Sequence, residues 1–203
     1  MNHLLYLILA FAGYLIGSSN LAFFLAKSRG FDIRSLGSNN AGASNAVVTM
    51  GFRTGVAVAI HDVLKSCLAA LAAGLIFPAL PNAAAVTGVA AVLGHIFPFY
   101  MRFRGGKGFA SFMGLILALD WRFFLIIGAA AILITVISDY IVLGTFTTIL
   151  SFPLYLVFYR TAWLLAAIVA VASLVIFCKH IINIGRLYRG EEIGLRQAIF
   201  KKR

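Results

Sequence analysis

Long runs of apolar side chains are the feature that most constrains the fold of this chain. A helix needs roughly 20 apolar residues to cross the hydrocarbon core of a bilayer. Of the 203 residues, 62% are hydrophobic and only 11% are charged. The sequence therefore predicts an all-α integral membrane protein with a single domain, residues 1–203. Seven spans are predicted: Leu4–Ala26, Gly55–Pro78, Ala83–Phe99, Phe109–Leu119, Phe123–Ile137, Ile141–Tyr159 and Ala162–Cys178.

The distribution of Lys and Arg predicts how the spans are oriented. If the N-terminus faces outside, every Lys and Arg lies on the cytoplasmic side except Lys65, within a span, and Arg122 and Arg160, outside. This bias predicts a multi-pass protein with a cytoplasmic C-terminus. The fourth span is short, so either its flanks lengthen it or it does not cross fully. The basic C-terminal end favours contact with anionic lipid over nucleic acid, because no aromatic side chains alternate with the basic ones.

The first polar cluster is GSNNAGASN, Gly37 to Asn45, which follows the first span and contains no charge. Glycines let successive N–H groups turn toward one point, and a helix beginning near Ala46 with Ser44 or Asn45 as its N-cap would add a positive helix end. This composition predicts a phosphate site, although a flexible polar loop with an N-cap explains it as well. The candidate binding residues are Ser38, Asn40, Gly42, Ser44 and Asn45.

The second polar cluster is RFRGGKG, Arg102 to Gly108, on the same predicted side of the membrane. Its two adjacent glycines permit close backbone approach, and its cations can contact phosphate oxygens. It is not a nucleotide P-loop, because Gly108 follows Lys107 where Ser or Thr is required. A positively charged cytoplasmic turn is the competing interpretation. The candidate binding residues are Arg104, Gly105, Gly106 and Lys107.

The third polar cluster, Lys179 to Glu192, has His180, Asn183 and Arg186 at intervals of three. If the last helix continues past Cys178, these three side chains share one face and are candidates for substrate binding. An amphipathic helix at the membrane interface is the alternative, and both interpretations can hold. Two histidines are the candidate proton carriers: His180, and His95 at the end of the third span.

Two opposite charges lie inside the second predicted span. Asp62 and Lys65 are three residues apart, so they can pair on one helix face, and charge inside a membrane is costly unless it is paired or hydrated. A structural ion pair is the favoured interpretation. The two cysteines, Cys67 and Cys178, have no disulfide or metal-site spacing, and no metal site is predicted.

Together these stretches resemble the bacterial membrane glycerol-3-phosphate acyltransferases that use acyl phosphate. The resemblance covers essentially the whole chain and rests on three motifs in order, with the Asp62–Lys65 pair between the first and second: Gly37–Asn45; Gly94, His95, Pro98 and Gly105–Gly108; and His180, Asn183, Ile184, Arg186, Leu187, Gly190 and Glu192.

The resemblance implies an enzyme of the bacterial cell membrane that acts on the cytoplasmic side. It implies transfer of an acyl group from acyl phosphate to the 1-hydroxyl of sn-glycerol 3-phosphate, with Ser38, Lys107, His180 and Asn183 binding substrate. It further implies no cofactor, no acyl-enzyme and substrate-assisted proton transfer. The enzyme that supplies acyl phosphate is an implied partner.

One position departs from the family pattern. The motif resembled here has an Arg where this chain has Val48, and Arg53 is the nearest substitute, expected on another turn of the same helix. A divergent enzyme that acylates another phosphate-bearing alcohol therefore stays open. A small anion transporter is a further alternative, although no inverted repeat is found. A scaffold that associates through Gly13 and Gly17 is another, but that pair is expected to pack within the bundle.

Overall fold

The structure, a computed structural model, describes residues 2–200, and within that range it contains helices and turns but no strand. Six helical stretches there are long and apolar enough to cross a membrane. The fourth predicted span, Phe109–Leu119, has only 11 residues, which gives about 16 Å of helix against a hydrocarbon core of about 30 Å. The helices are α1 Asn2–Ser18, α2 Leu21–Ser28, α3 Ala43–Met50, α4 Phe52–Ile76, α5 Ala83–Ile96, α6 Phe109–Leu119, α7 Trp121–Ser138, α8 Ile141–Phe158, α9 Trp163–Tyr188 and α10 Leu195–Phe200.

The described residues fall into two compact units, residues 2–121 and 122–200. In the first unit, α1 and α5 pack with their backbones close together. A Cβ added at Gly13 would overlap the carbonyl of Thr87, and one added at Gly17 would overlap that of Ala91. The two glycines therefore serve packing within the bundle, as expected from their spacing. Because the contacts advance together along both helices, α1 and α5 run parallel, as two spans separated by one crossing should.

The first predicted span is interrupted, which the sequence analysis missed. The helix ends at Ser18 and a new one begins at Leu21, with Asn20 as its N-cap. The Asn20 side chain accepts a hydrogen bond of 2.9 Å from the N–H of Phe23, so it satisfies one of the donors that a helix start leaves open. The break lies next to the first polar cluster and shapes the candidate site.

In the second unit, α7, α8 and α9 pack through small and aromatic side chains. Gly144 of α8 lies against the Ala131 carbonyl of α7, and Phe146 of α8 lies 5.5 Å from the ring of Phe177 in α9. The turn between α7 and α8 also holds the C-terminal segment, because Asp139 accepts hydrogen bonds of 2.7 and 2.9 Å from the N–H groups of Leu195 and Arg196.

Candidate phosphate-binding site

Asn45 organises the first polar cluster from inside. Its side chain is fully buried, and its Oδ1 accepts a 2.9 Å hydrogen bond from the N–H of Ser38. Its Nδ2 donates to three carbonyls, those of Ile33, Leu36 and Asn40, at 2.8 to 3.0 Å. The Asn45 amide is therefore committed to shaping the loop and does not face a ligand.

The prediction that Ser44 or Asn45 caps a helix near Ala46 is wrong. The helix α3 begins at Ala43, its N-cap is Gly42, and no side chain caps it. Since Asn45 lies inside the helix and is buried in the loop, it cannot serve as the cap. Within residues 2–200, no hydrogen bond is donated by the first three N–H groups of α3, those of Ala43, Ser44 and Asn45. Such groups form an anion-binding helix end.

Ser38 and Asn40 lie beside this helix end, where both side chains are half-buried. Asn40 Nδ2 donates a 2.7 Å hydrogen bond to Ser38 Oγ, which leaves the hydroxyl proton directed elsewhere. Ser44 is exposed on the surface of α3. The loop thus offers hydroxyl and N–H donors and carries no carboxylate between Gly37 and Asn45.

The two adjacent glycines of the second cluster are explained by packing. The N–H of Gly105 donates to the Ile96 carbonyl at 3.0 Å, and that of Gly106 donates to the His95 carbonyl at 3.2 Å. A Cβ at Gly105 would come within 2.6 Å of Pro98, and one at Gly106 would overlap the His95 ring. Their N–H groups are therefore engaged with the end of α5, and close packing against that helix end explains why both residues are glycines; their part in substrate binding stays a prediction.

The first and second clusters meet in the first unit. The N–H of Ala41 donates a 3.3 Å hydrogen bond to the Gly105 carbonyl, and a Cβ on Gly42 would lie 4.0 Å from Gly106 Cα. Lys107 is half-buried and Arg104 is exposed beside this junction. The loops therefore place the N-terminus of α3 close to the cationic Gly105–Lys107 turn.

Asn20 joins these loops to the helix break and was missed by the sequence analysis. Its side chain is buried, and its Nδ2 donates a 3.0 Å hydrogen bond to the Ala41 carbonyl. The available signal was the polar run Gly17–Asn20 inside an apolar segment, where a side-chain amide needs a specific partner. One residue thus caps α2 and fixes the first cluster.

The charged pair of α4 belongs to a larger buried network. Lys65 Nζ lies 2.8 Å from Asp62 Oδ1, so the pairing expected from their spacing is present. The ammonium also donates to the Ser19 carbonyl at 2.6 Å and contacts His95 Nδ1 at 2.9 Å. His61 Nδ1 lies 3.4 Å from the same carboxylate oxygen. The carbonyl of Ser19 is available because the helix breaks there.

The third cluster lies in the second unit, on α9, which continues past Cys178 to Tyr188 as the interpretation required. His180 and Asn183 are buried and Arg186 is half-buried, whereas Ile181, Ile182 and Ile184 are exposed, so the helix has a polar buried face and an apolar outer face. Asn183 Nδ2 donates a 2.5 Å hydrogen bond to Glu192 Oε1. His180 Nδ1 lies 2.9 Å from the Ile176 carbonyl.

The helices and polar loops define a class: a multi-pass, all-helical membrane protein whose first unit has a polar loop with open N–H groups at the start of α3. The family model described as "Glycerol-3-phosphate acyltransferase" matches residues 7–190. The chain belongs to the glycerol-3-phosphate acyltransferase family, an enzyme family.

Relatives and solved structures agree. The chain is 36% identical over 181 residues to the Glycerol-3-phosphate acyltransferase of Brucella suis, covering 89% of this chain and 88% of that one. It is 36% identical over 161 residues to that of Lactiplantibacillus plantarum, covering 79% and 77%. The crystal structure of PlsY, an integral membrane glycerol 3-phosphate acyltransferase in its glycerol 3-phosphate form, superimposes with a TM-score of 0.87 at 32% identity, covering 93% and 94%. Its lysphosphatidic acid form gives a TM-score of 0.84 at 32% identity, covering 95% and 97%.

Proposed function

We propose that this chain transfers a fatty acyl group from acyl phosphate to the 1-hydroxyl of sn-glycerol 3-phosphate, giving 1-acylglycerol 3-phosphate and inorganic phosphate. We further propose that it does so as one membrane-embedded domain at the cytoplasmic face of a bacterial inner membrane. The acceptor follows from the family. The donor is supported by chemistry: acyl phosphate is a mixed anhydride with a good leaving group, so no acyl-enzyme is needed.

The observation that carries this proposal is the junction of the first two clusters. The three N–H groups at the start of α3 lie next to a loop with Lys107 and Arg104, and residues 37–45 and 102–108 contain no Asp or Glu. Two phosphate-bearing substrates require donors and cations without competing carboxylates. His180, Asn183 and Arg186 supply the same kinds of groups and are proposed to bind substrate as well.

In this mechanism the protein binds and orients, and the substrates supply the reactive groups. The hydroxyl oxygen of glycerol 3-phosphate attacks the acyl carbon, the bond from that carbon to the phosphate oxygen breaks, and the hydroxyl proton passes to a phosphate oxygen. Loop N–H groups and cations stabilise the charge that develops on the departing phosphate. We expect positioning and charge stabilisation to provide most of the rate.

The test presents the purified protein separately with palmitoyl phosphate, palmitoyl-CoA and a palmitoyl thioester of acyl carrier protein, each with labelled glycerol 3-phosphate. Labelled lysolipid with matching phosphate release, from palmitoyl phosphate alone, is the expected result. Transfer from a thioester would overturn the proposed donor. Faster acylation of another phosphate-bearing alcohol would overturn the proposed acceptor, and solute uptake into vesicles without acyl transfer would favour a transporter.

A further inference from the structure

The Nζ atom of Lys65 has three hydrogen-bonding atoms around it, at distances that fit one hydrogen bond each. They are the Ser19 carbonyl at 2.6 Å, Asp62 Oδ1 at 2.8 Å and His95 Nδ1 at 2.9 Å. A lysine ammonium has three protons and no lone pair. When Lys65 is charged and the other two protons go to the two oxygens, the third points at His95 Nδ1, and that atom is then the unprotonated ring nitrogen.

We propose that Lys65 is a positioning residue that fixes His95 as the neutral imidazole protonated on Nε2. In this form the nitrogen that faces the glycine turn carries a proton, so His95 cannot act there as the general base of acyl transfer. This inference rests on the proposed function only in naming the reaction; the state of the ring is independent of it.

The direction of the ring supports this role. His95 is 2% exposed, and its Nε2 faces Gly106 so closely that a Cβ there would overlap it. The His95 carbonyl accepts the N–H of Gly106. The ring and the backbone carbonyl of His95 thus both contact the turn that precedes Lys107. Lys65 in turn contacts the ring.

The competing arrangement has a proton on Nδ1 that is donated to Asp62. Asp62 Oδ1 lies 3.3 Å from His95 Nδ1, farther than Lys65 Nζ, and two protons would then face each other between Lys65 and the ring. Around the ring, the titratable groups are Asp62 and Lys65 from α4, with His61 beyond Asp62. The shorter contact, between Lys65 Nζ and His95 Nδ1, therefore favours a proton on Nε2 of His95.

His180 has the opposite form, which makes it an internal reference. Its Nδ1 lies 2.9 Å from the Ile176 carbonyl, and a carbonyl can only accept, so that nitrogen carries the proton. Its Nε2 is therefore the nitrogen with the lone pair.

The decisive measurement is nitrogen NMR of imidazole-labelled protein in detergent, without substrate. The chain has four histidines, and His95→Gln assigns the resonance of His95. We expect an unprotonated Nδ1 and a protonated Nε2 for His95, with the reverse for His180. A protonated Nδ1 on His95 in the unmodified protein overturns the proposal.

Two variants distinguish the effect of Lys65 on the His95 ring from that of Asp62. Lys65→Met removes the donor, so Nδ1 of His95 should become protonated and pair with Asp62. Asp62→Asn keeps the donor, so Nδ1 should stay unprotonated. An unchanged His95 spectrum in folded Lys65→Met would contradict the proposal. If Lys65→Met does not fold, the spectrum of the unmodified protein and that of Asp62→Asn still decide.

Kinetics test the role of the donor. Glutamine places an amide N–H near the position of Nε2, whereas asparagine places one near Nδ1. His95→Gln, which keeps an N–H near the position of Nε2, should raise the KM for glycerol 3-phosphate less than His95→Asn, which does not. The acidic limb of the pH profile of kcat/KM should persist in both. Loss of that limb would identify His95 as a base and overturn the proposal. If the assay with the three acyl donors contradicted the proposed function, the NMR result on His95 would be unaffected.

Discussion

Close contacts between a few atoms determine the geometry of the turn at Gly105 and Gly106. The His95 ring occupies the space that a side chain at Gly106 would need. At Gly105 that space is occupied by the end of α5. The sequence predicted that these glycines permit close approach of the backbone, and in the structure both of their N–H groups donate to carbonyls of residues 95 and 96. The glycines are required because a helix end and a buried imidazole occupy the space.

Gly106→Ala should therefore impair substrate binding. The new methyl group would displace the His95 ring and the turn before Lys107, and we expect kcat/KM to fall by at least about tenfold, the cost of a displaced binding group. The measurement is acyl transfer at varied glycerol 3-phosphate. Gly74→Ala is the matched control, since its Cβ would lie 3.3 Å from the Ala84 methyl, far along α4 from the turn. Equal losses in both variants would contradict the explanation.

Val48 is the residue at which this chain departs from the motif that it otherwise follows. It is exposed, 38% of its surface, and lies one helical turn after Ser44 on the same face of α3. Arg53, expected on another turn of the same helix, instead lies on α4, because α3 ends at Met50 and Gly51, with φ of 92°, redirects the chain. That expectation was wrong because it assumed one continuous helix.

Val48→Arg should lower the KM for glycerol 3-phosphate. A guanidinium on the Ser44 face would add a charged hydrogen bond to phosphate, which is worth about 1.5–3 kcal/mol, or roughly ten- to hundredfold in binding. Steady-state kinetics measure it, and Val48→Gln is the neutral control of similar length. An unchanged KM in Val48→Arg would indicate that another cation already makes this contact.

At the scale of elements, the segment between α2 and α3 is tied to the turn after α5 by one arginine. Arg34 hydrogen-bonds the Asp32 carboxylate at 2.7 Å and donates to the Met101 carbonyl at 2.7 Å. The hydrogen bonds from Arg34 hold the pKa of Asp32 below its usual range. The carboxylate thus keeps the guanidinium in place on the loop that leads to the first cluster.

A pH dependence follows from the lowered pKa. A carboxyl whose pKa is lower in the folded state stabilises that state above its unfolded pKa, near 4, and the stabilisation disappears as the pH falls through the folded value. Asp32→Asn should therefore lower the free energy of unfolding at pH 7 by less than about 1 kcal/mol, because the pair is partly exposed, and by less still at pH 3. Thermal unfolding in detergent at the two pH values is the measurement. An equal loss at both would point to packing rather than charge.

The helical spans and the three polar clusters could be predicted from sequence, because hydropathy and charge asymmetry are properties of the local chain. The break at Ser19 and Asn20 could not, since four small polar residues barely change the average hydropathy of a long apolar segment. The partners of Asn45, Lys65 and Gly106 are remote in sequence, so their roles depend on packing that no local pattern specifies. The spacing of Asp62 and Lys65 indicated their pair but not the contact with His95.

At the scale of the whole molecule, the orientation in the membrane remains a prediction from the distribution of charge. The second unit is consistent with it, since the Asp139 turn and the C-terminal segment, both expected in the cytoplasm, contact each other. The parallel course of α1 and α5 is consistent as well. Both observations constrain which helix ends lie on the same side of the membrane. Chemical labelling can show which side is cytoplasmic.

Single cysteines at exposed positions should report opposite sides of the membrane. In a background with Cys67 and Cys178 replaced by serine, Ser35→Cys and Gln197→Cys should resist an impermeant maleimide added to intact cells, and Pro81→Cys should react. Permeabilised cells provide the control, in which all three positions should react. Labelling of Ser35→Cys in intact cells would reverse the predicted orientation.

The interruption between α1 and α2 has a consequence for biogenesis. Ribosomes deliver this turn to the bilayer before the carbonyl of Ala41, which pairs with Asn20, and the ammonium of Lys65, which pairs with Ser19, have been synthesised. Unsatisfied polar groups in hydrocarbon cost several kcal/mol each. The nascent first span must therefore keep Ser19 and Asn20 near water until the later helices emerge. A ribosome-stalled chain ending before α4 should hold its first span shallowly, and arrival of the second span should draw it to its final depth.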